Sequence, residues 1–275
     1  VTLRNALNRS INLVAIQGLQ EVGVYKIIHY VRKAGLKHEM RPVPSLAIGS
    51  CEATNYEMTL AYSVYANQGM QPTPYCIEKI FDRNGRLLES HTPKRKKILS
   101  ANTAYIMANM LITVVKAGTG ASSIRRGFTR TAGGKTGTTN DYSDAWFVGF
   151  TPQIACGVWV GVDERRSMGH GVTGSRGALP IWTEAMKALH RDLPPAGFRK
   201  PETIQTTRIC KETFKVATPY CPETYNEIFN ESDTLETCDE HGLNRGRSTK
   251  DIRQRLGSDK KSGGTSSKKK SPLVF

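Results

Sequence analysis

Gly134-Lys135-Thr136-Gly137-Thr138-Thr139, Ala145-Trp146-Phe147-Val148-Gly149-Phe150-Thr151 and Ile154-Ala155-Cys156-Gly157-Val158-Trp159-Val160-Gly161-Val162 are three strand-like runs in succession, the last two joined through Pro152-Gln153. Helical patterns lie on both sides of them. Leu179 to His190 follows as a helix, and Ser100 caps another that runs to about Lys116 before Gly118 and Gly120. Further upstream, Thr54-Asn55-Tyr56-Glu57 has the form of a capping box, with Met58, Ala61, Tyr62 and Tyr65 on one apolar face and Gly69 as the stop. Val24, Ile27, Ile28 and Val31 mark an amphipathic helix over about Val22 to Ala34. Asn84-Gly85, between Tyr75 to Asp82 and Arg86 to Glu89, predicts a β-hairpin with a two-residue turn. Helices, a hairpin, more strands and a closing helix do not alternate as a parallel crossover fold requires. The fold class is therefore α+β, an antiparallel sheet covered by helices.

Periodicity weakens after Pro194-Pro195, which predicts a domain over 1–192, a cysteine-bearing extension over 193–244 and a tail over 245–275. The chain has 275 residues, 38% apolar and 23% charged, enough apolar content to exclude disorder over most of its length. Its 39 Lys and Arg outweigh 24 Asp and Glu, for a net charge of +15. The tail carries ten Lys or Arg against Asp251 and Asp259, and Gly263 to Lys270 has almost nothing to bury, so it is expected to be disordered. Lys94-Arg95-Lys96-Lys97 is expected to be a loop. Outside the tail the basic residues are scattered and accompany no nucleic-acid motif, so nucleic acid is not an expected partner. The most apolar stretch, Ile106 to Val115, is too short to span a bilayer. The chain opens on Val1 inside a helical pattern, as a piece of a longer protein does, and any membrane anchor is expected upstream.

Six cysteines (Cys51, Cys76, Cys156, Cys210, Cys221 and Cys238) include no pair at two-residue spacing. Cys238-Asp239-Glu240-His241 comes nearest to a metal knuckle, but the spacings of Cys210, Cys221, Cys238 and His241 match no common zinc template. In an oxidising compartment a disulfide between Cys221 and Cys238, closing a loop in a poorly cored region, is the preferred expectation. Cys51, Cys76 and Cys156 are expected to stay reduced, with Cys210 undecided.

Lys135-Thr136-Gly137-Thr138 carries the sharpest chemical signal. A strand puts Thr136 and Thr138 on one face, offering two hydroxyl donors at fixed spacing beside a cation, and Gly137 leaves no β-carbon between them. That set suits a substrate carboxylate whose carrier must lie close to the backbone. Taken alone, Lys-Thr-Gly also describes an edge strand with an exposed lysine. Ser10-Ile11-Asn12 supplies the second motif, at the point where one helix gives way to the next, although a serine there is commonly just a cap.

Together the two motifs resemble the penicillin-recognising serine transpeptidases, whose elements are Ser-x-x-Lys, a Ser-x-Asn triplet and Lys-Thr-Gly. Ala6 to Asn12, Leu46-Ala47-Ile48-Gly49-Ser50, Ala61 to Gly69 and Gly134 to Pro152 look like the transpeptidase domain of class A penicillin-binding proteins, over about residues 1 to 191. Ala217 to Pro222 and Cys238 to His241 are similar to the cysteine-bearing extension of some members. The resemblance implies a β-lactamase/transpeptidase-like fold, incomplete at its N-terminus, and an acyl-enzyme mechanism on D-Ala-D-Ala stem peptides without metal or cofactor. It further implies proton transfer by Ser10 with Lys135 hydrogen-bonded to it, and an amide carbonyl bound by Asn12. The terminal carboxylate would be received by the Thr136 and Thr138 hydroxyls, and half of an oxyanion hole supplied by the Thr138 N–H. Expected partners are stem peptides, β-lactams and other cell-wall synthesis proteins, at the extracytoplasmic face of a bacterial membrane.

The nucleophile of that family is the Ser of Ser-x-x-Lys. In this sequence the pattern occurs only as Ser258/Lys261, Ser266/Lys269 and Ser267/Lys270, in the tail, where frequent lysine makes it a decoy. Tyr65-Ala66-Asn67 is a second decoy, since Tyr65 belongs to an apolar helix face. The expectation is a C-terminal portion of a transpeptidase, beginning after its nucleophile helix and inactive alone. A D,D-carboxypeptidase or β-lactamase-type hydrolase is the enzymatic alternative, and a non-catalytic penicillin-sensor-like domain the binding alternative.

Overall fold

The computed structural model describes residues 1–164 and 166–242, so the expectation for the 245–275 tail, with its three Ser-x-x-Lys decoys, lies outside the described residues. The chain divides into two compact units, Val1–Pro201 and a second beginning at Glu202, a few residues later than the sequence suggests.

In the first unit, α1 (Leu3–Arg9), α2 (Asn12–Val22) and α3 (Val24–Lys33) follow one another with only short breaks. Thr2 caps α1 through its hydroxyl, which accepts from the Asn5 N–H at 3.3 Å. A short 3-10 turn, Pro44–Ile48, leads to α4 (Asn55–Ala66), whose capping box forms as read: the Thr54 hydroxyl accepts from Glu57 N–H at 3.1 Å and Glu57 Oε2 from Thr54 N–H at 3.0 Å. α5 (Ala101–Ala117) is capped by Ser100, whose hydroxyl accepts from Thr103 N–H at 3.0 Å. A single turn, α6 (Ser122–Arg125), and α7 (Ala178–Leu189) complete the helices of this unit.

The central sheet has the order β5 (Gly133–Thr138), β6 (Asp144–Phe150), β7 (Ala155–Gly161), antiparallel throughout. β6 is the middle strand and both of its faces are covered, which is why its sequence is a continuous apolar run. Phe147 stacks edge-on against Trp182 of α7 at 4.9 Å between ring centroids, and Trp182 is fully buried with its indole N–H donating to Cys156 O at 3.1 Å. Phe150, on the opposite face, meets Tyr65 of α4 at 5.9 Å and packs with Ala108 and Leu111 of α5. Tyr65 is thus a core residue, as its helix face implied. Cys156 is half-buried in the middle of β7, packed beside the Phe147–Trp182 cluster.

Two small pairings depart from the sequence reading. Lys94 to Lys97 is not simply a loop: β4 (Arg95–Lys97) pairs antiparallel with β1 (Met70–Pro72), and three charged side chains on an edge give no apolar alternation from which to read it. The hairpin of β2 (Lys79–Phe81) and β3 (Leu87–Ser90) forms, but not with a two-residue turn. Asp82 N–H donates to Arg86 O at 2.9 Å, leaving Arg83-Asn84-Gly85 as a three-residue loop with Gly85 at φ 80°. The Asp82 carboxylate decides it, accepting from Asn84 N–H at 2.8 Å and Arg86 N–H at 2.9 Å.

The second unit is a hairpin of β8 (Ile204–Cys210) and β9 (Thr224–Asn230), paired along seven residues, with Val216 bridging to Thr237. Strands form here despite the weak periodicity: β8 is buried at its ends, Ile204, Ile209 and Cys210, while Gln205, Thr206 and Arg208 between them are exposed and break the alternation.

Candidate active site

β5 lies at the edge of its three-stranded sheet, and the direction of its backbone groups follows from one bond. Thr139 N–H donates to Asp144 O at 3.2 Å, across to β6. In an antiparallel ladder alternate residues face the same partner, so Gly137 and Lys135 also direct their backbone groups to β6. Thr136 C=O and Thr138 N–H therefore turn to the open edge. Lys135 Nζ confirms the first of these, donating to Thr136 O at 3.0 Å.

α1 is fastened to α5 by Arg4, whose guanidinium donates to Asn109 O at 3.0 Å and Thr113 Oγ1 at 2.9 Å. This docking sets the position of Ser10, which ends α1 in the left-handed region at φ 54°. A serine rarely adopts that conformation, and the local helix junction holds it there: Ile11 N–H reaches back to Ala6 O at 2.9 Å. Lys135 Nζ donates a hydrogen bond to Ser10 Oγ. Two motifs 125 residues apart in sequence thus meet through one hydrogen bond. Asn12 opens α2 with an exposed side chain, and among the described residues no hydrogen bond ties it to β5.

Burial pushes the Lys135 amine down to about 8, and among the described residues no carboxylate pairs with it. A lysine so placed gives up its proton near neutral pH far more readily than a surface one, which is what a proton relay through Ser10 Oγ needs.

The two threonines of β5 are held by partners that the sequence did not reveal. Thr136 Oγ1 donates to Thr119 Oγ1 at 2.8 Å, just beyond the end of α5. Thr138 Oγ1 accepts from Gly174 N–H at 2.9 Å, so its own hydroxyl proton is available to an incoming acceptor. Gly174 lies directly over the Gly137–Trp146 pair. A β-carbon on it would come within 2.3 Å of Trp146 O and 2.6 Å of Gly137 O. The close approach of one backbone to another requires glycine at Gly174, and Gly171-Val172-Thr173-Gly174-Ser175-Arg176-Gly177, with three glycines in seven residues, is the signal that could have pointed there.

At the far end of β5, Asp141 Oδ1 accepts from the Ser143 hydroxyl at 2.9 Å and the Ser143 N–H at 3.2 Å, which holds its carboxyl below the ordinary range. Trp159 Nε1 donates to Asp144 Oδ1 at 2.8 Å. These contacts fix the β5–β6 turn and so the register of the Lys-Thr-Gly-Thr segment.

All six cysteines are free thiols, three of them (Cys210, Cys221 and Cys238) in the second unit, where the expected Cys221–Cys238 bond is not formed. Both sulfurs instead converge with Cys210 and His241.

Residues 1–165 match the family model described as the penicillin binding protein transpeptidase domain. The chain belongs to the penicillin-binding protein transpeptidase family. Among its curated relatives, penicillin-binding protein 1A of Aquifex aeolicus is 43% identical over 201 residues, covering 73% of this chain and 27% of the relative. Penicillin-binding protein 1A of Pseudomonas aeruginosa is 33% identical over 291 residues, covering 87% of this chain and 35% of the relative. This chain therefore spans about a quarter to a third of these class A relatives. The crystal structure of penicillin-binding protein 1A from Haemophilus influenzae superposes with a TM-score of 0.78 at 27% identity, over 84% of this chain and 40% of that one. PonA1 of Mycobacterium tuberculosis, solved in complex with penicillin V, shares the fold at TM-score 0.64 and 21% identity, over 72% of this chain and 59% of that one. The α+β transpeptidase fold read from the sequence is the fold observed.

Proposed function

We propose that these 275 residues supply the proton-relay and carboxylate-binding side of a peptidoglycan D,D-transpeptidase site, working outside the bacterial cytoplasmic membrane. The Ser10–Lys135 hydrogen bond is the observation that carries this reading. A stem peptide ending in D-Ala-D-Ala lies along the open edge of β5, where Thr136 C=O and Thr138 N–H are turned to pair with it as a neighbouring strand does.

The acylating serine lies outside these residues, since the only Ser-x-x-Lys spacings here fall in the basic tail. When that serine attacks the penultimate D-Ala carbonyl, passing its proton to the lysine of its own Ser-x-x-Lys motif, negative charge grows on the carbonyl oxygen, and the Thr138 N–H stabilises it. The leaving D-Ala amine needs a proton, which Ser10 Oγ–H donates while Lys135 replenishes Ser10. Attack of an acceptor amine on the acyl-enzyme returns the proton by the same path. The terminal carboxylate accepts from the Thr138 hydroxyl, already turned by Gly174 N–H, and from Thr136 once its hydroxyl swings from Thr119 and Thr119 donates in its place. Asn12 receives an amide carbonyl of the stem peptide. β-Lactams enter by the same carboxylate contact.

A product assay tests this. A longer protein that includes a Ser-x-x-Lys helix, given a D-Ala-D-Ala stem peptide and an amine acceptor, should release D-Ala and form cross-linked product. Release of D-Ala with hydrolysed peptide alone, at every acceptor concentration, would assign a carboxypeptidase instead. Penicillin binding without turnover would assign a sensor.

A further inference from the structure

We propose that Cys210, Cys221, Cys238 and His241 form a structural zinc site that staples the second unit of the chain. The sulfurs of the three cysteines and a ring nitrogen of His241 all lie within 4.8 Å of one another. His241 Nδ1 is 3.3 Å from Cys238 Sγ and 3.5 Å from Cys210 Sγ. A tetrahedral zinc with bonds of about 2.3 Å to sulfur and about 2.0 Å to nitrogen places N and S ligands about 3.5 Å apart, so His241 already stands at metal-ligand spacing from Cys238 and Cys210.

The surroundings have the form that such an ion requires. The imidazole turns Nδ1 to the sulfurs and Nε2 to Glu212 Oε2, 3.2 Å away, the carboxylate-to-histidine arrangement that fixes a ligating ring. Backbone N–H groups of Glu212 and Thr213 point at Cys210 Sγ, and those of Glu240 and His241 at Cys238 Sγ. These two sulfurs are thus wrapped by the amides two and three residues beyond them, as a thiolate ligand is. Thr218 N–H donates to Cys221 Sγ at 3.3 Å, and the Thr218 hydroxyl to His241 O, tying the Cys221 loop to His241. A Cys221–Cys238 disulfide would use two of these donors and leave Cys210 and His241 facing it without purpose.

The unit also needs a staple. Among its described residues, 202–242, the buried apolar side chains are Ile204 and Ile209, together with Cys210 and Cys238 themselves. The described stretch 202–242, with so little core, is not held on apolar burial alone. The four ligands come from the end of β8, the loop before β9 and the segment after the Val216–Thr237 bridge, so one ion closes all three. Four protein ligands leave no open position, which makes the site structural rather than catalytic. Binding one Zn²⁺ expels three thiol protons and leaves the imidazole neutral, for a net site charge of −1. This inference is independent of the transpeptidase reading.

The full chain, purified without chelator, should carry one zinc per molecule by elemental mass spectrometry. Exchange for Co²⁺ should give the intense visible bands of a tetrahedral ion together with thiolate-to-cobalt charge transfer. His241→Ala and Cys238→Ser should lose stoichiometric metal while Cys76→Ser keeps it. Because the first two variants can fail to fold, the unsubstituted chain decides: peptide mapping that finds a Cys221–Cys238 disulfide in most molecules with less than one zinc in five chains overturns the proposal. A cobalt spectrum without thiolate charge transfer, or full zinc retention by folded Cys238→Ser, overturns it as well.

Discussion

Lys135 on β5 and Ser10 at the end of α1 are joined by a hydrogen bond from Nζ to Oγ, although 125 residues separate them. The lysine is held there at the expense of its charge, because burial lowers its amine to about 8. Below pH 8 the folded lysine is protonated in a place that penalises charge, whereas an unfolded lysine stays protonated up to about 10.4. Between these values the unfolded chain binds more protons, so this group makes stability rise with pH. Lys135→Met is therefore expected to stabilise the chain at pH 7, with the gain shrinking as pH rises from 8 toward 10.4. Urea unfolding at pH 7 and pH 10 measures it, and a variant less stable at pH 7 would show that the bond to Ser10 outweighs the burial of charge.

Gly174 is expected to tolerate no side chain. In Gly174→Ala the β-carbon would fall 2.3 Å from Trp146 O, so the loop must lift and Thr138 Oγ1 loses its N–H donor. Overpacking of this kind costs about 2 kcal/mol. Thermal unfolding of the chain reads the loss, and an unchanged midpoint would mean that the 171–177 loop does not seat on β5 as described.

His190 closes the core at the end of α7. Met186 O can only accept, so His190 Nδ1 donates to it at 2.8 Å and Nε2 receives the Thr151 hydroxyl at 2.9 Å. Thr151 in turn accepts from Ile154 N–H at 3.1 Å, at the β6–β7 turn. His190→Ala leaves that hydroxyl proton unpaired in a buried site and should cost about 2–3 kcal/mol. Adding Thr151→Val should cost clearly less in that background than alone, and strict additivity in a double-mutant cycle would remove the coupling.

The core was legible where a single pattern dominated. The apolar run of β6, buried on both faces, and the Thr54–Glu57 capping box each stand out because one physical demand sets every residue. Lys-Thr-Gly-Thr and Ser-x-Asn were legible as a pair, because two weak motifs of one family seldom coincide by accident. What escaped the reading depends on tertiary partners. β4 is three charged residues made a strand only by β1. Asp82 lengthens the Asn84-Gly85 turn through a side chain two residues away. Thr119 and Gly174 orient the site threonines from segments apart from β5, and nothing in the spacing of the Lys-Thr-Gly-Thr motif itself marks them. Cys210, Cys221, Cys238 and His241 could be named from the sequence as a metal-binding set but ranked below a disulfide, since their convergence is set by a hairpin whose strands alternate poorly.

The 275-residue chain alone should form no covalent adduct with penicillin, since its Ser10 stands beside a lysine but is assigned to proton transfer and not to attack. Incubation with labelled penicillin, denaturation and mass analysis check this. A label that survives denaturation and maps to Ser10 would reassign that residue as the nucleophile.

The central claim is that Lys135 drives the proton relay through Ser10, and one rate tests it most directly: the second-order acylation of a longer protein, carrying a Ser-x-x-Lys helix upstream of these residues, by labelled penicillin. Loss of a positioned proton-transfer group lowers such a rate by about 10²-fold or more. Lys135→Ala is expected to acylate at least about a hundredfold more slowly than the unsubstituted protein while remaining folded. Acylation of folded Lys135→Ala within about threefold of the unsubstituted rate, well short of that loss, would contradict the account.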